Sequence, residues 1–369
     1  MSLLCKLLYF LRKWSISGII SFSIILILCC NTGLAIVGFF QGGGRDATQL
    51  AKNLAGSVCY SMGLYVFIFI FRNAQKLIDL FHKWREVDAM QNHASDASLH
   101  LSINTIAGTI LISAIAENAV SHLLLFPLHE RVPQPLQYYY ENSHKQWSLM
   151  IPYHATAAIG VFLCNKWAVY AWNFGDIFIA VISRGLYGKF KRFVESVEEK
   201  LLKSPSPAGK LDWLHAIEHH DRLSKLTEEF ADLLSPLVFT SFAVNIYFIC
   251  IQLHLFLAPS KKLDFVSALY VGWSFLHLVA RTYVCALSAA KINDYAHNFV
   301  KILYNCPRSL YTVDVERAER KLASTSVGLH GLGAFHIGRP FILSVISVIF
   351  TFEIVLLQTS QMMPATIES

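Results

Sequence analysis

The sequence predicts an all-α membrane protein of seven transmembrane helices, and three observations carry that prediction. Hydrophobic residues make up 54% of the 369 and charged residues 15%, with a mean hydropathy of +0.44. That is too apolar for a water-soluble protein of one or two domains. Apolar stretches recur at bilayer-spanning length, about 20 residues for the roughly 30 Å hydrocarbon core. The basic residues gather in alternate loops, which is a topological pattern. The formal charge of +6 is interleaved with acids and forms no basic face, so nucleic acid is not an expected partner.

Seven apolar segments follow in order, at about 17–40, 54–72, 101–127, 147–183, 235–257, 263–289 and 338–359. The first follows Lys6, Arg12 and Lys13 as a signal peptide would, but it is too long for an h-region and lacks a small-residue cleavage site. It reads as an uncleaved span. The fourth runs on without a break past Arg184, so its helix is expected to project from the membrane until Ser204-Pro-Ser-Pro-Ala-Gly ends it. Leu211, Leu214, Ile217, Leu223, Leu226, Phe230 and Leu233 then recur at helical spacing and lead back to the fifth span. A further amphipathic helix is expected over 314–328, and Gly42-Gly-Gly reads as a flexible loop. Six cysteines fall inside apolar spans, with Cys5 and Cys306 in loops, so no disulfide framework is expected.

Lys and Arg count 23 on the side of the N-terminus against 6 on the other: Arg45, Lys52, Arg131, Lys145, Lys261 and Lys262. The positive-inside rule therefore puts the N-terminus in the cytoplasm and, with seven spans, the C-terminus outside. A G-protein-coupled receptor has the reverse orientation. The chain divides into a cytoplasmic segment 1–16, spans one to four over 17–183 as a ligand-binding bundle, and cytoplasmic helices over 184–234. Spans five and six follow over 235–289, a cytoplasmic anchor region over 290–337, a seventh span over 338–359 and an extracellular tail over 360–369. The seventh, from Pro340 to Gln358, carries one charge, Glu353. A lone acid in such a helix should face protein or water rather than lipid, which makes it a candidate pore wall.

Several stretches resemble the insect gustatory receptors, in particular their sugar-receptor branch. Thr351-Phe352-Glu353-Ile-Val-Leu-Leu-Gln358 resembles the closing TYhhhhhQF signature, with Glu after the aromatic as in the TYE variant; Phe352 replaces the Tyr and Thr359 the final Phe. Trp172-Asn-Phe-Gly-Asp-Ile-Phe-Ile, Ser183-Arg-Gly-Leu, Ser235-Pro-Leu-Val-Phe, Asn245-Ile-Tyr-Phe-Ile-Cys-Ile-Gln-Leu, Arg281-Thr-Tyr and Ile292-Asn-Asp are similar to stretches of the same receptors. The resemblance implies a plasma-membrane sweet-taste receptor that is a tetrameric, ligand-gated, nonselective cation channel. It implies seventh helices around one pore, six others as the ligand-binding bundle, and homo- or heterotetramers with related subunits meeting through the cytoplasmic helices. The expected partners are a small-molecule sugar, permeating cations and membrane lipid.

Sugars are held by polar groups that hydrogen-bond hydroxyls while aromatic faces pack on the CH faces of the ring. The outer halves of the spans hold the candidates. In the third, Glu117 and Ser121 stand i,i+4, as do Asn118 and His122, giving a polar patch on adjoining faces. The alternative is an internal polar contact between helices. Trp147, Tyr153 and His154 at the outer start of the fourth span join the pocket or anchor the interface. Trp273 and His277 are i,i+4 in the sixth, and Asn245 and Gln252 lie two turns apart on the fifth. Lys166, Asp176 and Arg281 are expected to supply a buried ion pair that serves the fold.

For the pore, Gln358 would form a polar ring near the outer mouth, with Phe350, Val355, Leu356 and Leu357 as the apolar constriction. Glu353 and Gln358 are about 1.4 turns apart and cannot share one face of a straight helix, so Glu353 is expected to couple the pore helix to the bundle. Enzyme chemistry has little support: His215-x3-His219-His220 is similar to one histidine box of membrane diiron enzymes, but no second box exists. No GxSxG, P-loop or HExxH occurs, and no catalytic residue, metal or cofactor is expected. The rival functions are a non-conducting or auxiliary subunit of a heteromeric receptor and, with less support, a secondary transporter.

Overall fold

The computed structural model describes residues 16–41, 47–90, 97–127, 132–143, 145–148, 150–202, 212–257 and 265–362. The N-terminal segment before Ile16, the Gly42-Gly-Gly loop, the Ser204-to-Gly209 break and the tail beyond 362 lie outside the described residues. In order the elements are α1 (Ile16–Gln41), α2 (Ala47–Met90), α3 (Ala97–Leu125), α4 (Pro135–Ser143), α5 (Lys145–Ser148), α6 (Ala155–Leu202), α7 (Trp213–Leu257) and α8 (Phe265–Leu303). Then come α9 (Val313–Ser324), a hairpin of β1 (His330–Gly331) and β2 (Phe335–His336), and α10 (Arg339–Met362).

Among the described residues, six helices are long and apolar enough to cross a membrane: α1, α2, α3, α7, α8 and α10. This is a multi-pass membrane protein. The expected fourth span corresponds to α6, which is long enough at 48 residues but is diluted by Asn165, Lys166, Asn173 and Asp176. It also begins later than expected, at Ala155 rather than 147, because Pro152 separates it from α5.

Several helices outrun their apolar segments. α2 continues to Met90 because Ala74, Leu77, Leu80, Phe81, Trp84 and Val87 keep a buried face at helical spacing among charges. α7 fuses the fifth span with the polar helix before it, running through Pro236. Asp212 caps its start, its Oδ1 accepting from the His215 N–H at 3.1 Å. The helix expected over 314–328 stops at Ser324, and the hairpin after it was not anticipated.

The main core lies at the polar end of the bundle, where α2, α6, α7, α8, α9 and the hairpin converge. Phe190, Phe230, Phe299, Leu186 and Leu223 are fully buried there. Phe230 meets Phe81 and Trp84 edge-on at 5.8 and 5.6 Å, a favoured aromatic geometry. Lys189 ion-pairs with Asp88 over the Trp84 ring. Burial pulls its pKa below the usual lysine value, while Asp88 opposes that shift.

The hairpin links this core to α10. Its turn places Leu332 and Gly333 at φ of 51° and 70°, the left-handed pair of a type I′ turn. A Cβ at Gly331 would stand 2.3 Å from the Phe335 ring, so glycine there lets the Phe335 ring lie over its strand partner. Ser235 receives the Leu332 N–H at 2.6 Å and bonds His330 Nδ1 at 3.0 Å, which fixes the hairpin beside Pro236. The apolar stretches of the helices differ in how far they are covered: α3 and α10 bury little of theirs, while α7 buries more than half.

Candidate ligand-binding site and pore helix

Facing polar stripes meet between α3 and α8 toward the far end. On α3, Ser113 and Glu117 are i,i+4; on α8, Tyr270, Ser274 and His277 are i,i+4,i+7. Glu117 Oε1 accepts from the Tyr270 hydroxyl at 2.9 Å and from Ser274 Oγ at 2.8 Å. Gln252 of α7 donates to Ser274 Oγ at 3.0 Å, and Ser113 Oγ bonds His277 Nδ1 at 2.8 Å. Gln252 Oε1 and His277 Nε2 are buried without a partner among the described residues. An unpaired buried polar atom costs about 1–3 kcal/mol, so a polar ligand or water is the expected complement.

Ser121, one turn on from Glu117, also reaches the Tyr270 hydroxyl, whereas Asn118 and His122 turn away from this cluster. Asn118 accepts from Lys166 of α6, whose ammonium lies 4.6 Å from the Phe162 ring centre. His122, about 140° around the helix from Glu117, bonds the Tyr139 hydroxyl of α4. With Tyr153, Phe126 and Phe162 it lines a separate cavity of about 480 Å³ that is otherwise apolar. Ser121 is half-buried.

Trp147 donates to Asn31 Oδ1 of α1 at 2.5 Å, while His154 and Trp273 are exposed. The structure therefore gathers Glu117, Ser121, Gln252 and His277 from the expected set and disperses the rest.

Asn245 belongs to a second network. Asp176 is fully buried and pairs with Arg281, Nε to Oδ2 at 2.8 Å. Asn245 donates to Asp176 Oδ2 at 3.0 Å and accepts from Arg281 and from Trp172 Nε1. Ser241 also donates to Asp176, and Arg281 donates to Asn173. Lys166 is not part of this pair; its position on α6 turns it to Asn118.

On α10, Glu353 is 4% exposed and lies 3.3 Å from His254 Nδ1 of α7. Leu356 is buried beside it, whereas Phe350, Val355 and Gln358 are exposed and Leu357 is half-buried. Gln358 shares its exposed face with Ser344, Ser347 and Thr351, a polar stripe on the side of the helix away from Glu353. His254 is two residues from Gln252, so α7 touches the Glu117 cluster with one face and Glu353 of α10 with another.

A family model described as trehalose receptor matches residues 12–366. The chain belongs to the trehalose receptor family. Members of this insect gustatory family are receptors and not enzymes, in keeping with the histidine box: His219 and His220 pack against Phe193 and Phe299.

Three relatives come from Drosophila melanogaster. Gustatory receptor for sugar taste 64f is 27% identical over 62% of this chain and 48% of its own length. Gustatory receptor for sugar taste 61a is 27% identical over 89% and 80%. Gustatory receptor 5a for trehalose is 27% identical over 69% and 57%. The match thus spans about half the length of the first of these. The insect olfactory receptor OR5 from Machilis hrabei shares the fold, with a TM-score of 0.68 at 15% identity over 94% of this chain and 90% of that one.

Within this trehalose-receptor fold, sequence reasoning missed Tyr270, Ser274 and Ser113. The signal was present: their helical spacing places polar groups on one face of an otherwise apolar helix. It went unread because hydroxyls can satisfy themselves on their own helix in a membrane.

Proposed function

We propose that this chain is a sugar receptor that opens a nonselective cation pore. It would span the membrane seven times, α6 included, with the N-terminus cytoplasmic, the C-terminus extracellular, and four subunits placing their α10 helices around one axis. The observation that carries the reading is the Glu117 cluster. A carboxylate, two hydroxyls and two unpartnered polar atoms converge in the outer half of an apolar bundle. A polyol supplies both donors and acceptors to such a set, and a carboxylate accepting from ligand hydroxyls makes bonds of about 1.5–3 kcal/mol.

The sugar-taste and trehalose receptors among the relatives support the ligand class. The polar stripe of Ser344, Ser347, Thr351 and Gln358 supports the pore assignment, because it leaves Glu353 for the bundle. Sugar bound at Gln252 and Ser274 would bias α7, and α7 would pass that bias to α10 through His254 and Glu353. The sugar shifts gating only by its preference for the open arrangement.

The test is whole-cell current during perfusion of mono- and disaccharides, from cells expressing this chain alone and with a related sugar receptor. Sugar-evoked cation current is expected. Silence in both settings, with the protein confirmed at the surface, would overturn the channel reading.

A further inference from the structure

We propose that Arg184, Lys191 and Lys291 hold the phosphate headgroup of an anionic lipid at the inner face of the membrane. Two cations from different helices converge on one aromatic ring. The Arg184 guanidinium of α6 lies 4.6 Å from the Tyr187 ring centre, and the Lys291 ammonium of α8 lies 5.7 Å from it. Arg184 also donates to Ser102 Oγ of α3 at 3.1 Å. Neither cation has a carboxylate partner among the described residues.

Tyr295 stands edge-on to Tyr187 at 4.8 Å, and Lys191 and Glu195 act on its hydroxyl electrostatically. Lys191 reaches Glu195 at 3.6 Å, both half-exposed or more. Three cations therefore face one carboxylate, leaving an excess positive charge; the Tyr187 and Tyr295 hydroxyls bond one another, which leaves one phenol O–H as a further donor.

The depth of the cluster selects the ligand. Arg184 and Lys291 stand one and two residues beyond the apolar segments 147–183 and 263–289, and Ser102 is the second residue of the apolar segment 101–127. A Cβ at Gly188 would stand 2.7 Å from Leu99, so the start of α3 sits against α6 at this level. All three helices thus mark the headgroup layer, where anionic lipids of the cytoplasmic leaflet attract juxtamembrane cations. The excess charge fits a headgroup with more than one negative charge, a phosphate monoester or a phosphorylated inositol.

The inference rests on the orientation proposed above. Its test reads lipid retention and not current, so its failure would leave the channel reading standing. The full chain is reconstituted in nanodiscs containing phosphatidylinositol bisphosphate or phosphatidylcholine alone, and retained lipid is measured by native mass spectrometry after transfer to detergent. Bisphosphate lipid should be retained selectively, and Lys291→Gln and Arg184→Gln should each weaken retention about fivefold. Lys301→Gln, an exposed cation on the same helix directed at Asn298, should not. Equal retention by wild type and Lys291→Gln, with folding confirmed, would overturn the site. Soluble inositol trisphosphate binding as tightly as the lipid would overturn the lipid assignment in favour of a soluble phosphate.

Discussion

Asp176 has the most to lose by substitution. It is fully buried, and Arg281, Ser241 and Asn245 all direct hydrogen bonds or charge at it. Asp176→Ala would leave a buried guanidinium without its counter-charge, at a cost of about 3–5 kcal/mol. A large fall in melting temperature in detergent, with partial recovery when Arg281→Met is added, checks this.

His220 gives a pH dependence from outside the apolar 235–257 stretch of α7. It stacks on Phe299 at 5.0 Å and bonds the Ala296 carbonyl at 3.1 Å. Burial pushes its pKa from 6.5 to about 4. The unfolded chain therefore binds this proton first as pH falls. The contribution is intact above about 6.5 and is lost toward 4, by about 3 kcal/mol. Melting temperature should fall on acidification through that window, and His220→Gln should flatten the curve. The Asp176–Arg281 pairing was legible in the sequence, since charges in apolar spans must find partners; the diversion of Lys166 to Asn118 depends on which face of α6 each occupies.

Helix α2 meets the backbone of α6 closely at Gly63, where a Cβ would stand 2.6 Å from Ala168 Cα. Backbone cannot yield as a flexible side chain does, so Gly63→Ala should destabilise by about 1–3 kcal/mol. Thermal melting of the variant checks it, and no loss would mean that the helices separate freely here. At this scale the sequence was informative about existence and poor about extent. Apolar runs announced each long helix except for the position of its ends, because α2, α7 and α8 continue on amphipathic faces that bury one side only. The hairpin was invisible: its two-residue strands are too short for an alternating pattern, and Leu332 takes a positive φ that its residue type does not advertise.

Across the whole molecule, the tightly packed core holds the polar end while the opposite half carries the candidate ligand site, with α7 running between them. Gln252 and His254 place the Glu117 cluster and Glu353 of α10 on one element, which is a physical basis for the proposed coupling. The exposed stripe ending in Gln358 should line the permeation path, so Gln358→Ala should alter relative cation permeability without moving the sugar dose response. The opposite pattern would place Gln358 outside the pore.

The central claim is that sugar is sensed at Glu117. The most direct measurement is the sugar dose response of whole-cell current for wild type and Glu117→Gln at matched surface expression. The account predicts a half-maximal concentration raised about 10-fold or more with maximal current retained, as the loss of a charge-assisted hydrogen bond requires. An unchanged half-maximal concentration would contradict it.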